Sequence, residues 1–131
     1  MKVFWSVALG APVGGLARFY LTGFIQQRAG EDFPAGTLVI NITGSFLLGF
    51  IVRYALQSGA VSPEVRALLT TGFCGGYTTF STFSYETASM LEDGEYSRAS
   101  FYIGASVLIS LVGTFAGFVA AQRLLALRQQ T

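Results

Sequence analysis

The polar positions of this chain fall in clusters separated by long apolar stretches. No charged residue occurs from Val3 to Ala17, from Pro34 to Val52, from Ala67 to Tyr85 or from Ala99 to Gln122. None of these stretches shows a charged face recurring every 3.6 residues, as a helix lying on a water-soluble core would. A helix that crosses a bilayer needs about 20 largely apolar residues, with a working range of about 17–25. The second, third and fourth stretches reach that length. The first reaches it by running through Arg18 to about Ile25. The pattern predicts an all-α membrane protein with four transmembrane helices, at about 3–25, 36–56, 66–92 and 99–122, in a single transmembrane domain over residues 1–131.

The predicted links are short and polar. Gln26 to Ala35 holds Arg28, Glu31, Asp32 and Pro34. Ser62-Pro63-Glu64 reads as a helix start, with Ser62 as cap and Pro63 in the first turn. Glu92 to Arg98 makes the third link. The polar tail Arg123 to Thr131 is expected to fray. Lys2 followed by an apolar run resembles a secretory leader, but Arg18 and the later spans favour a retained first helix. With both tails and the second link on one side, that side holds Lys2, Arg53, Arg66, Arg123 and Arg128, against Arg28 and Arg98 on the other, with Arg18 near the latter side inside the first span. This asymmetry weakly places both termini in the cytoplasm.

Composition narrows the function classes. The chain has 131 residues, 52% of them hydrophobic and 11% charged, where a soluble domain carries about 25% charged. A net charge of +1 leaves no basic footprint for nucleic acid. There is no His, which removes His-based triads, His-ligated metals and His proton relays. One cysteine, Cys74, excludes an internal disulfide and a multi-cysteine metal site. No nucleophile–base pair or cofactor motif is visible, so an enzyme is not expected.

Within the spans, small residues recur at four-residue spacing: Gly10 and Gly14, Gly72 and Gly76, Gly113 and Gly117. Such pairs let helices approach closely in lipid. The polar residues are harder to assign to packing. Tyr102, Ser106, Ser110 and Thr114 share one side of the fourth helix. Each hydroxyl has a structural reading, back-bonding to a carbonyl one turn earlier. Together they also read as a solvated or ion-facing track. Thr37, Asn41 and Ser45 form a second line. An unsatisfied amide at Asn41 would cost several kcal/mol in hydrocarbon, so Asn41 bonds another helix or faces a polar path.

The third span holds the most informative segment, Gly72-Phe73-Cys74-Gly75-Gly76-Tyr77-Thr78-Thr79-Phe80-Ser81-Thr82-Phe83-Ser84. Two glycines followed by two threonines are poor helix material. A break near Gly75–Thr79 is predicted, and its freed carbonyls could hold a small cation. Phe80 and Phe83, three apart, either pack or turn their positive ring edges toward an anion. Arg18 and Glu86 are ionised groups in or near the membrane. Glu86 is a functional candidate by its depth; its structural reading is pairing with a helix N-terminus, an Arg or a hydroxyl.

At these residues the chain resembles the Fluc (CrcB) family of fluoride channels. The resemblance rests on Gly-Ala-Pro-Val-Gly-Gly-Leu-Ala-Arg-Phe (10–19), Gly-Thr-Leu-Val-Ile-Asn (36–41) and above all Thr-Gly-Phe-Cys-Gly-Gly-Tyr-Thr-Thr-Phe-Ser-Thr-Phe-Ser-Tyr-Glu (71–86). It covers nearly the whole chain; Tyr77 stands where many relatives have a smaller aliphatic residue. It implies a passive, fluoride-selective channel of the bacterial inner membrane that limits fluoride toxicity. It implies an antiparallel, dual-topology homodimer in lipid with two pores and a central structural sodium ion. Asn41 would present its amide to fluoride, with Thr37 on the same line. Phe80 and Phe83 would supply ring edges, and Tyr102, Ser106, Ser110 and Thr114 the polar track. Gly75 and Thr78 would offer backbone carbonyls to sodium, with Arg18 and Glu86 as further matching positions. The asymmetry of Lys and Arg leaves an oppositely oriented partner chain as the alternative to a homodimer. The competing function is a small multidrug-type, proton-coupled exporter, which needs a carboxylate in the first span; that span has none.

Overall fold

The computed structural model describes residues 1–128 and is helical throughout, with no strand among the described residues. Helix α1 is Lys2–Ala29 and α2 is Ala35–Ser58. The third region comprises α3 (Pro63–Ala67), a π-helical stretch (Leu68–Cys74), a single turn α4 (Gly75–Tyr77) and α5 (Phe80–Glu92). Helix α6 is Tyr96–Arg128. The Ser62 cap forms as its sequence predicts, its hydroxyl accepting from the Val65 N–H at 3.3 Å ahead of Pro63. Gly59 ends α2 in the left-handed region at φ 61°, which a side chain would strain.

One expectation is corrected. The tail does not fray from Arg123: α6 continues to Arg128, whose guanidinium donates to the Tyr54 hydroxyl at 2.7 Å. The end of the tail, residues 129–131, lies outside the described residues. The break expected near Gly75–Thr79 forms within those bounds. Gly75 and Gly76 are helical, and the chain opens only at Thr78 (φ −85°, ψ 159°) and Thr79 (φ −150°, ψ 116°). Gly76 serves packing instead. A Cβ on Gly76 would land on the Ala11 carbonyl oxygen of α1.

Two helix pairs build the fold. Helix α1 lies against α3, the π-helical stretch and α4, while α2 runs along α6. Both seams rest on glycine. A Cβ on Gly14 would collide with the Phe73 carbonyl oxygen and sit 2.8 Å from the Tyr77 nitrogen. A Cβ on Gly117 would meet the Phe46 carbonyl oxygen and lie 2.7 Å from the Phe50 nitrogen. Helix α5 packs on α6 and α2, where Phe83, Met90, Ala99 and Tyr102 make an apolar cluster with Phe33 and Leu38.

The surface identifies the solvent. Helices α2 and α6 are each long and apolar enough to cross a membrane, and only 28% and 17% of their most apolar windows are buried. A core helix of a soluble protein would be mostly covered. Instead Leu9, Val13, Leu16 and Phe19 of α1 and Leu108, Val112 and Phe115 of α6 face outward, while Thr37, Thr79, Thr87 and Ser106 are buried. Water penalises apolar patches of this extent, and lipid does not.

Because both seams are backbone-to-backbone, no side-chain adjustment can relieve an added Cβ. Gly14→Val and Gly117→Val are each expected to abolish a monodisperse peak in size-exclusion chromatography after detergent extraction. Gly104→Ala, with nothing within 4 Å of its Cβ, is expected to elute as the parent does.

Candidate functional site

The opened backbone at Thr78–Thr79 must find partners where water is absent. Asn41 supplies them from α2. Its Nδ2 donates to the Thr79 carbonyl at 3.0 Å and its Oδ1 accepts from the Thr79 N–H at 2.8 Å. The Thr79 hydroxyl then caps α5, accepting from the Thr82 N–H at 3.2 Å. On the other flank, the Thr78 hydroxyl and N–H both donate to the Cys74 carbonyl, at 2.9 and 3.0 Å. From α1, Arg18 Nη1 donates to the Thr78 carbonyl at 3.3 Å.

Beside the break lies a cavity of about 270 Å³ lined by Asn41, Gly44, Ser45, Leu48, Thr78, Thr79, Phe80, Phe83, Ser106, Val107 and Ser110. It gathers residues from α2, α5 and α6 that are far apart in sequence. The Ser106 and Ser110 hydroxyl oxygens are buried and have no hydrogen-bond partner. Two unmatched buried hydroxyls beside a cavity are unusual, because buried polar atoms are nearly always paired. The Phe80 and Phe83 ring centroids are 5.6 Å apart, tilted by 46°. Phe83 packs on Tyr102, whereas Phe80 is 79% exposed and stands at the cavity's open side. No charged side chain lines this cavity.

The predicted polar track divides. Ser106 and Ser110 face the cavity. Tyr102 does not line it: its hydroxyl donates to Glu86 Oε2 at 2.6 Å. Thr37 donates to Glu86 Oε1 at 2.8 Å. Thr114 bonds back to the Ser110 carbonyl at 3.1 Å, the structural option for a helical threonine. Asn41 and Ser45 line the cavity; Thr37 is turned toward Glu86. A carboxylate accepting two hydroxyl bonds is far better placed in an apolar surrounding than a bare one. Glu86 also borders a second cavity of about 530 Å³, toward the end of the molecule where Glu31, Asp32, Asp93 and Glu95 collect.

Three contributors were not singled out from the sequence. Thr79 carries both the Asn41 bonds and the α5 cap; the Thr79-x-x-Thr82 spacing was its signal. Tyr77 is buried with its hydroxyl 2.9 Å from Thr43 Oγ1, which ties the near side of the break to α2. Gln26 closes the first link, donating to the Phe33 carbonyl at 2.8 Å and accepting from the Gly36 N–H at 3.1 Å.

A cation at this site would be held by carbonyl oxygens, since no group of three or more His, Cys, Asp or Glu residues gathers among the described residues. The break offers such oxygens. In a continuous helix the Gly75 carbonyl would accept from the Thr79 N–H, and that N–H is given to Asn41 instead. Backbone carbonyls are the donors that a hard monovalent ion requires. The Gly75 oxygen is released by the break, whereas the Thr78 oxygen already accepts from Arg18, so a cation there would share it with a guanidinium.

The chain is similar to known proteins along nearly its whole length. The family model described as CrcB-like protein, Camphor Resistance (CrcB), matches residues 5–118. The chain is 49% identical over 124 residues to the fluoride-specific ion channel FluC of Geobacter sulfurreducens, covering 95% of this chain and 100% of that one. It is 48% identical over 122 residues to the protein of the same name from Geotalea daltonii, covering 93% and 98%. It is 41% identical over 124 residues to that of Aquifex aeolicus, covering 95% and 100%.

The Glu86 contacts lead to a stability prediction. A hydrogen bond to a charged group contributes about 1.5–3 kcal/mol. Tyr102→Phe removes one such donor and leaves the ring packing, so it is expected to destabilise the protein by about that amount, read as a lower midpoint in denaturant titration of the purified protein. Phe101→Leu, on the exposed side of the same turn, is expected to leave the midpoint unchanged.

Proposed function

This chain belongs to the CrcB-like protein family, whose members are transport proteins rather than enzymes, and from that membership we propose that it is a passive, fluoride-selective channel. In this reading it releases fluoride across the bacterial inner membrane and so limits intracellular toxicity. The observation that carries the reading is the pair of buried, unpartnered hydroxyls, Ser106 and Ser110, in a cavity walled by Phe80 and Phe83.

Fluoride is small and strongly hydrated, so a path through hydrocarbon must replace its water with donors. Ser106 and Ser110 have hydroxyl hydrogens to give. Asn41 has one Nδ2 hydrogen left after Thr79 takes the other. Phe80 and Phe83 add positive ring edges. No Lys or Arg lines the cavity to trap the ion, which suits conduction, since an ion must leave as readily as it enters. A sodium ion on the Gly75 and Thr78 carbonyls would supply positive charge that offsets the cost of an anion in low dielectric.

The conducting unit in this reading is an antiparallel homodimer with four spans per chain and two pores. Phe80 is exposed at the open side of the cavity, where a second copy would complete the wall. End charges support the inverted arrangement. Lys2, Arg53, Arg66, Arg123 and Arg128 lie toward one end, and Glu31, Asp32, Asp93 and Glu95 toward the other. Inverting the second copy sets basic end beside acidic end. The same asymmetry biases insertion. Labelling each tail from both sides of the membrane is expected to find both orientations; a single orientation would replace the homodimer with an oppositely oriented partner chain. The exporter reading is not favoured, because α1 carries no carboxylate and Glu86 is held by Thr37 and Tyr102.

The deciding experiment is fluoride efflux from liposomes holding the purified protein, read with a fluoride electrode and with chloride as control. Fast fluoride release without chloride release is expected. Removing the matched donor at one point on the path raises a barrier by about 1.5–3 kcal/mol, or roughly tenfold to a hundredfold in rate. The double variant Ser106→Ala/Ser110→Ala is expected to lose at least that much flux while eluting as the parent does. Phe80→Ile and Phe83→Ile are also expected to cut flux sharply; unchanged flux in both would remove the rings from the path.

A further inference from the structure

The Thr78–Thr79 peptide is held at both ends by different helices. Its N–H is given to Asn41 Oδ1 on α2 at 2.8 Å, and its carbonyl oxygen faces Arg18 on α1 at 3.3 Å. No peptide bond here is cis. In a trans peptide the N–H and C=O point in opposite directions. Fixing the N–H toward α2 therefore fixes the Thr78 oxygen away from α2, toward α1. The second Asn41 bond, from Nδ2 to the Thr79 carbonyl, locks the next peptide and prevents the first from rotating. Thr78 is also tied back to the Cys74 carbonyl and Thr79 forward to the Thr82 N–H, so Asn41 holds the one peptide between these two anchors.

We propose that Asn41 is a positioning residue for the cation as well as a donor to the anion: by holding the Thr79 N–H it aims the Thr78 carbonyl oxygen at the site where a monovalent cation binds. One side chain then serves both ions. Its Oδ1 sets the carbonyl on one face of the break, and it lines the cavity on the other. The inference rests on the sodium reading given above. It differs from that reading in assigning cation affinity to a residue that acts through the Thr78–Thr79 peptide, from the side opposite the Thr78 oxygen. It also predicts linkage. Whatever pulls Asn41 away from Thr79 weakens cation binding, and by reciprocity a bound cation favours the arrangement in which Asn41 lines the cavity.

The test reads sodium binding without flux. Purified protein is titrated with sodium chloride, with N-methylglucamine holding ionic strength, and the midpoint of the sodium-dependent rise in melting temperature is recorded. The wild-type protein is expected to show a saturable rise. Asn41→Ala is expected to shift the midpoint upward by about tenfold or more, the loss of about 1.4 kcal/mol of orientation. Ser106→Ala, which alters the same cavity without touching the break, is expected to stay within about twofold. If Asn41→Ala does not accumulate as folded protein, Asn41→Ser takes its place, too short to span to Thr79 and expected to shift the midpoint alike. A wild-type midpoint in Asn41→Ala or Asn41→Ser, with fluoride efflux reduced, would overturn the proposal and leave Asn41 as an anion donor only. Absence of any sodium effect on the wild-type protein would overturn the sodium reading itself, and this inference with it.

Discussion

One amide makes the break in the third region possible. An extended pair of residues in hydrocarbon leaves donors and acceptors that water would otherwise satisfy, each at a cost of several kcal/mol. Asn41 answers an N–H and a C=O of the same residue, Thr79, as a neighbouring strand would. That constraint explains the composition of α2. A single amide must sit in an otherwise apolar helix, at the depth of the break, with Gly44 one turn on so that Thr78 and Tyr77 can come close. It also explains why α5 can begin afresh. Thr79 both ends the break and caps the helix that follows, so Phe80 and Phe83 are presented from the first turn of a properly started helix.

Around this joint the molecule is assembled inside out. Its exterior is leucine, valine and phenylalanine, and its interior mixes small and apolar residues such as Ile40, Cys74 and Ala99 with threonine, serine, tyrosine and a carboxylate. In lipid, apolar burial gives little drive for helices to associate. Close backbone contact and internal hydrogen bonds replace it. The glycine seams of α1 with the third region and α2 with α6 provide the first, and the Asn41 and Glu86 bonds the second. The two are interdependent, because Asn41 reaches Thr79 only if Gly14 and Gly76 let α1 press the turn before the break into place.

Much of this was legible in the sequence. Charge-free stretches of bilayer length located the helices, and the Ser62-Pro63 start formed as its chemistry requires. The four-residue glycine spacing marked both seams. What the sequence could not resolve was which partner each polar residue finds. Tyr102, Ser106, Ser110 and Thr114 are equivalent by helical periodicity, yet three different fates separate them. Tyr102 reaches Glu86 because α5 crosses at its level. Thr114 has no cross-helix acceptor near and bonds back to Ser110. Ser106 and Ser110 look into the cavity. Periodicity fixes a face, whereas the partner depends on where a helix from elsewhere in the chain crosses that face. Within the expected Gly75–Thr79 segment, which residues open is decided in a similar way. Gly75 and Gly76 have low helix propensity, but a glycine that must touch Ala11 stays helical, and the threonines that Asn41 can hold take up the extended conformation.

The division of polar groups follows a physical logic. Glu86, Thr37 and Tyr102 satisfy one another and leave nothing to offer an ion at that point. Ser106 and Ser110 are satisfied by nothing and so remain available. A protein keeps buried hydroxyls unpaired only where something else completes them, since each would otherwise cost about 1–3 kcal/mol. Closing the Glu86 triad also removes the nearest negative charge from direct reach of the cavity. An anion entering there meets donors and ring edges without a competing carboxylate. In the proposed reading the same economy holds at the break, where the groups assigned to one sign of charge are oriented by those assigned to the other. In that reading, selectivity for a small anion comes from how few unpaired donors the fold leaves, and from how firmly Asn41 and the glycine seams hold them in place.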